Sequence, residues 1–262
     1  MGRIATFFTL LVVSVLALTL PVQSQRLVSK LSAIEISINS TFSGESLTLF
    51  GNVEAPIGAN GRSVSGPFDI IIVIQGPSTR RVVREKTPQL GVWLNSEEVI
   101  FADVPAYYHV LATSPLNKIT DEDTLRKEGI GLVYQANPPQ YENQSEEERV
   151  RNKGFAGELV RLMREAEMFG LSERRISFLS ETFYNANLTL PANVPNGTYL
   201  AKTYLFSNGQ ILDQKAERFV VRTTGAERFI GNAARDYPLA YGLASVLIAL
   251  FTGWLGAVAF RR

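Results

Sequence analysis

Apolar positions in the first third of the chain recur with a period of two. Ile34, Ile36 and Ile38 alternate with Glu35 and Ser37, and Leu47, Leu49 and Gly51 alternate with Ser46, Thr48 and Phe50. That spacing places the apolar set on one face of a strand. Phe68-Asp69-Ile70-Ile71-Ile72-Val73-Ile74 is apolar on both faces at its centre, which predicts an inner strand covered on both sides, stopped by Gly76-Pro77. Arg80 to Lys86, Val92 to Leu94, Val99 to Phe101 and Tyr107 to Ala112 predict further short strands. Short strands interrupted by turn residues at this frequency point to a β-sandwich.

The period changes at Thr120. Thr120-Asp121-Glu122-Asp123 reads as a capping box before a short helix that Gly129 ends. Ser145-Glu146-Glu147-Glu148 caps a longer helix, whose stripe of Leu159, Leu162, Met163, Ala166 and Phe169 is expected to lie on the sandwich, with Gly170 at its C-terminal end. The segment is dense in charge, as expected of a solvated helical insertion of about 120–180. Strands resume near Phe183. Tyr199 starts a strand just after the corner Val194-Pro195-Asn196-Gly197, as in the tyrosine corner of immunoglobulin-like sandwiches, and Ala201 stands where antibody domains carry their second cysteine. Asn208-Gly209, between the runs 199–206 and 211–221, is a hairpin turn signal because both central residues need positive φ. The predicted fold class is therefore mainly β: an immunoglobulin-like β-sandwich with an inserted helical segment.

The two ends of the chain add a compartment. Leu239 to Phe260 contains no charged residue and as a helix reaches about 33 Å, enough to cross hydrocarbon. Arg261 and Arg262 follow, which under the positive-inside bias puts the C-terminus in the cytoplasm, with Tyr237, Tyr241 and Trp254 as interfacial residues. At the N-terminus, Arg3, the apolar run Ile4 to Leu20, Pro21 and the small residues of Val22-Gln23-Ser24 read as a signal peptide cut before Gln25. The expected organisation is a signal peptide 1–24, an extracytoplasmic body 25–222, a juxtamembrane linker 223–237 with Phe229, Ile230 and Ala233 on one side, a transmembrane helix 238–260 and a tail 261–262.

Composition then limits the chemistry. With 26 basic against 25 acidic residues, nothing in the charge balance favours nucleic acid. The absence of cysteine leaves packing to hold the exported fold, and removes thiolate zinc sites and cysteine catalysis. Asp121-Glu122-Asp123 lacks the glycine and the distal glutamate of a calcium loop, and there is no glycine-rich phosphate loop. His109, the single histidine, shares a strand face with Tyr107 and Leu111 and reads as a packed or edge residue rather than a catalytic base. The expectation is a non-enzymatic protein without a cofactor.

Two constellations remain as candidates. Arg80, Arg81, Arg84 and Lys86 precede Trp93, Tyr107 and Tyr108, so pairing of their strands would set guanidinium groups beside aromatic faces as an anion or peptide site. The competing expectation is an edge strand made basic against sheet-to-sheet association, with Trp93 in the core. Within the span, Gly253 and Ala257 stand four apart and offer a face on which another helix can approach closely.

The C-terminal third, with Pro191 to Tyr199, Tyr204-Leu205-Phe206, Gly225-Ala226-Glu227-Arg228-Phe229, Pro238-Leu239-Ala240-Tyr241-Gly242 and Gly253-Trp254, resembles the alphaproteobacterial transmembrane family of unknown function, Alph_Pro_TM. Gln75-Gly76-Pro77, Arg84 to Lys86, Gly91 to Asn95 and Val104 to Tyr108 are similar to its N-terminal half. The resemblance implies a bacterial inner-membrane protein with its bulk in the periplasm, and a sulfite-exporter-like permease as partner. It carries over no catalytic or binding residue.

Overall fold

The computed structural model describes residues 26–39, 41–55, 66–89, 91–138 and 144–260. The expected signal peptide and the Arg261-Arg262 tail lie outside them.

The alternating segments form the strands expected of them. Strand β1 is Arg26–Leu31, β2 is Glu35–Ile38 and β3 is Glu45–Glu54. On β3, Leu47, Leu49, Gly51 and Val53 are buried while most residues between them are not. β4, Asp69–Gln75, is buried on both faces from Ile70 to Ile74, as its continuous apolar run requires. The next two strands are long: β5 is Ser78–Gln89 and β6 is Val92–Pro105. The short separate strands expected over 80–101 are thus one antiparallel ribbon. The polar residues between Leu94 and Val99 interrupt the apolar pattern but not the ladder, because a ribbon with both faces in solvent needs no alternation.

β7 is Tyr108–Ala112, followed by helices α1 (Leu116–Ile119) and α2 (Glu122–Glu128), a 3-10 turn at Leu132–Tyr134, and the long helix α3 (Glu146–Glu165). The cap of α2 is Asp121 rather than Thr120: its side chain accepts from Thr124 N, while Thr120 Oγ1 donates to Gly209 O. On α3 the Ser145–Glu148 capping box is complete in both directions. Its buried face is Phe155, Ala156, Leu159 and Met163, with Leu162 facing solvent. The helix stops at Glu165, so Phe169 and Gly170 belong not to it but to strand β8, Phe169–Glu173. β9 is Ile176–Phe178 and β10 is Phe183–Leu190. The expected insertion therefore returns to strand before residue 180. β11 (Gly197–Ser207) and β12 (Gln210–Thr223) are joined by Asn208 and Gly209 at φ 50° and 82°. Helices α4 (Ala226–Asp236) and α5 (Pro238–Ala259) end the chain.

The strands make a four-stranded sheet in the order β1-β3-β10-β9 and a six-stranded sheet in the order β2-β12-β11-β4-β7-β8. β2 runs parallel to β12 and β8 parallel to β7, so the second sheet is mixed. One apolar core lies between the sheets, with Tyr107, Tyr108, Tyr184, Tyr199, Tyr204 and Phe219 among its largest fully buried side chains. Between β1 and β2 the chain crosses from one sheet to the other, which curls the two together along one side into a half-barrel. Leu27 N donates to the Asp213 carboxylate at 2.7 Å, Lys30 pairs with Glu217 at 3.1 Å, and the Ser29 and Thr203 hydroxyls, both buried, bond at 3.2 Å.

Candidate functional site

The geometry of interest gathers where the six-stranded sheet meets the chain's route to α5. Gly197 faces Val221 and Leu200 faces both Arg218 and Gln75, so the C-terminal ends of β4 and β12 lie at the same end of the sheet. The corner at this end is built around Tyr199. Its hydroxyl donates to Pro195 O at 2.7 Å, its ring stacks on Phe219 with centroids 5.0 Å apart, and the Tyr107 ring lies 6.0 Å away. Burial raises the Tyr199 phenol pKa well above its ordinary value, so the hydroxyl stays a donor.

The β5–β6 ribbon departs from this same end. Gln75 faces Tyr108 and Ser78 faces Pro105, and between these pairs Gly76 N donates to Tyr107 O and Ala106 N to Pro77 O, both at 2.8 Å. The ladder of β4 and β7 thus passes into that of β5 and β6 without a change of register. The inner half of the ribbon is anchored, with Val83, Val99, Phe101 and Val104 buried. Beyond Val83 and Val99 it stands in solvent. Arg84 pairs with Glu98 at 2.9 Å and Arg151 of α3 with Glu97 at 3.2 Å. At the tip, Val92, Trp93 and Leu94 are 58%, 66% and 47% exposed.

The proposed basic and aromatic residues are therefore distributed along the ribbon. Arg80 lies near its root and Trp93 faces Pro88 at its tip, about 26 Å further along at strand rise. Lys86 faces Asn95 near the tip, the Arg84 guanidinium is engaged by Glu98, and Tyr107 is in the core. Trp93 is not a core residue. The expectation that placed it in the core fails because the outer part of its strand has neither face covered.

His109 is held from both sides. Its ring stacks on Tyr107, with centroids 6.2 Å apart, and its Nε2 is 2.9 Å from Ser172 Oγ on the parallel neighbour β8. A Cβ on Gly170 would stand 2.2 Å from the ring, so only glycine lets the strand pass this close. Burial pushes the imidazole pKa down to about 4 and keeps it neutral. The Ser172 contact was not foreseen, since parallel pairing of β7 with β8 across some sixty residues leaves no local signal. Among the described residues no group of three or more His, Asp or Glu is placed to hold a metal ion.

Two features complete this end of the sheet. A cleft of about 500 Å³ between the sheet end and α4 is lined by Asn196, Thr198, Arg222, Thr223, Asn232 and Arg235, among others. Helix α4 exposes Phe229 and Ile230, and α5 is a 22-residue helix whose most apolar 18 residues have a mean hydropathy of 1.9, none of them buried in the body. No side chain approaches within 4 Å of where a Cβ on Gly253 would be. These are the marks of a tether, and comparison with known proteins agrees. The chain belongs to the family described as Putative transmembrane protein (Alph_Pro_TM), whose model matches residues 26–262. No curated protein matches it. This family member is accordingly a membrane-associated protein with one candidate transmembrane helix among its described residues and a β-rich domain outside the membrane.

Proposed function

We propose that this protein is a single-pass protein of the bacterial inner membrane that displays a periplasmic immunoglobulin-like sandwich and serves as an accessory or interaction subunit of an integral membrane protein, such as a sulfite-exporter-like permease. The observation that carries the reading is α5: a long apolar helix with small residues at Gly253 and Ala257 that contributes no packing to its own domain. In lipid, such a face gains most from close approach of a second helix. The sandwich assignment is supported by the strand orders, which place the consecutive strands β1 and β2 in different sheets, and by the Tyr199 corner bond. The reading is non-enzymatic, with the one histidine packed against Tyr107 and Gly170 inside the sheet. Photo-crosslinkers at Gly253 and Ala257 in native membranes test it. Capture of one integral membrane protein from that face is expected, as is loss of function when an unrelated span replaces α5. Retained function with an unrelated span would reduce α5 to a tether and end the subunit reading.

A further inference from the structure

We infer that the tip of the β5–β6 ribbon, Val92-Trp93-Leu94, docks on the surface of the same bilayer that α5 crosses, giving the domain a second membrane contact. Three observations carry this. The first is chemical: three consecutive apolar residues, one of them tryptophan, are exposed together at the end of a long ribbon. Tryptophan with an apolar ring and a polar N–H is favoured at the headgroup level of a bilayer. From Lys86 to Ser96 the sequence carries one charge, that of Lys86, and no acid. The tip can therefore enter an interface without burying a carboxylate, while a cation at its edge favours anionic headgroups.

The second observation is placement. The ribbon leaves the sheet beside Gly197, where a Cβ would touch Pro77 at 2.7 Å, and Gly197 faces Val221. The root of the ribbon is thus one strand away from where β12 hands over to the juxtamembrane segment. The third is reach. Beyond its last packed rung, Val83 and Val99, the ribbon runs on through Arg84 to Gln89 for about 20 Å at strand rise, and α4, the element between β12 and the span, is about 16 Å long at helical rise. The free part of the ribbon is thus about as long as α4, so its tip reaches a bilayer that lies no further from the sheet end than that helix can span. Helix α4 presents Phe229 and Ile230 to the same interface, so the domain would be seated by a helix on one side and a hairpin on the other.

The inference rests on α5 being the membrane span, and the two are separable because the chain has two tryptophans, Trp93 and Trp254. Full-length Trp254→Phe protein, with Trp93 as sole reporter, is placed in nanodiscs of phosphatidylethanolamine and phosphatidylglycerol, with lipids brominated at shallow or deep acyl positions. Full-length Trp93→Phe protein reports on the span through Trp254. Docking predicts that Trp93 emits to the blue, is quenched by shallow bromines and is shielded from acrylamide, and that Val92→Asp with Leu94→Asp abolishes all three. Solvent-like emission of Trp93, freely quenched by acrylamide while deep bromines quench Trp254, would overturn the inference and leave the span intact. Shielding of Trp93 in native membranes but not in lipid nanodiscs would also overturn it, and would assign the tip to a protein partner.

Discussion

Replacing Tyr199 by Phe tests the corner at the end of the sheet from which the chain leaves for α4 and α5. The substitution removes one oxygen and keeps the ring, so the stack on Phe219 at 5.0 Å and the contact with Tyr107 at 6.0 Å survive. What goes is the 2.7 Å bond to Pro195 O, made by a fully buried side chain. A buried bond of this kind contributes about 1 kcal/mol, and the carbonyl left without a donor adds to the loss, so about 1–2 kcal/mol is expected. In a folded body of this size that lowers Tm by roughly 2–8 °C. Tyr199→Ala loses the ring as well and should cost about 3–5 kcal/mol. The assay is thermal and urea unfolding of the full-length chain in detergent, followed by near-ultraviolet circular dichroism. A Tyr199→Phe protein as stable as the parent within about 0.5 kcal/mol would mean that the hydroxyl supports nothing. A loss equal to that of Tyr199→Ala would mean the ring does not keep its place without the bond, and either result refutes the corner as drawn.

Three further predictions follow from other parts of the fold. His109 is neutral when folded with its pKa lowered to about 4, so its contribution is complete above the unfolded value near 6.5 and is lost as pH falls toward 4, at most roughly 3 kcal/mol; the urea midpoint of His109→Gln should fall less steeply than the parent's between pH 7 and 4.5, and equal slopes would contradict this. Burial raises Tyr108 and Tyr204 to about 12 and Tyr107 and Tyr199 further still, so stability should hold below pH about 10 and drop as pH rises toward 12; ultraviolet titration should then show this set ionising only as the chain unfolds. On α3, Leu159 is 4% exposed and Leu162 46%, so Leu159→Ala should cost about 2–5 kcal/mol and Leu162→Ser almost nothing; the reverse ranking in urea unfolding would show that the helix seats on another face.

Local chemistry made much of this fold legible. The alternation on β3, the two-sided run of β4, the Asn208-Gly209 turn, the Ser145 capping box and the Tyr199 corner are each specified within a few residues, and each forms where its signal lies. Errors arose where a boundary depends on what a segment touches. Met163, Ala166 and Phe169 continue a helical period past the real end of α3. The turn at Glu167, with φ 60°, and pairing of Phe169 with Tyr108 win over that period. The cap of α2 shifts to Asp121 because Thr120 bonds across to Gly209, a partner about ninety residues away. The ribbon escaped because strand patterns report burial, and its outer half has none to report. The same lack of burial hid the nature of the candidate site: Arg80 and Trp93 are near in sequence, but the ribbon holds them at opposite ends.

The ribbon also permits a clean separation of folding from display. Val83 and Val99 face each other across the ladder, both are buried, and every residue described beyond them is exposed apart from the half-buried Thr87. Joining Val83 to Val99 through Asn-Gly would therefore close the hairpin at its last packed rung with a turn that suits two positive φ values. The contacts removed are the Arg84–Glu98 pair and the Arg151–Glu97 link to α3, both exposed and each contributing at most about 1 kcal/mol. The trimmed chain should fold, insert through α5 and unfold within a few degrees of the parent. If it does so and function is lost, the outer ribbon acts as a surface for something outside the chain, because no internal packing has changed. A collapse in Tm would instead show that the outer strands stabilise the domain, and the case for the tip as a docking element would fall with it.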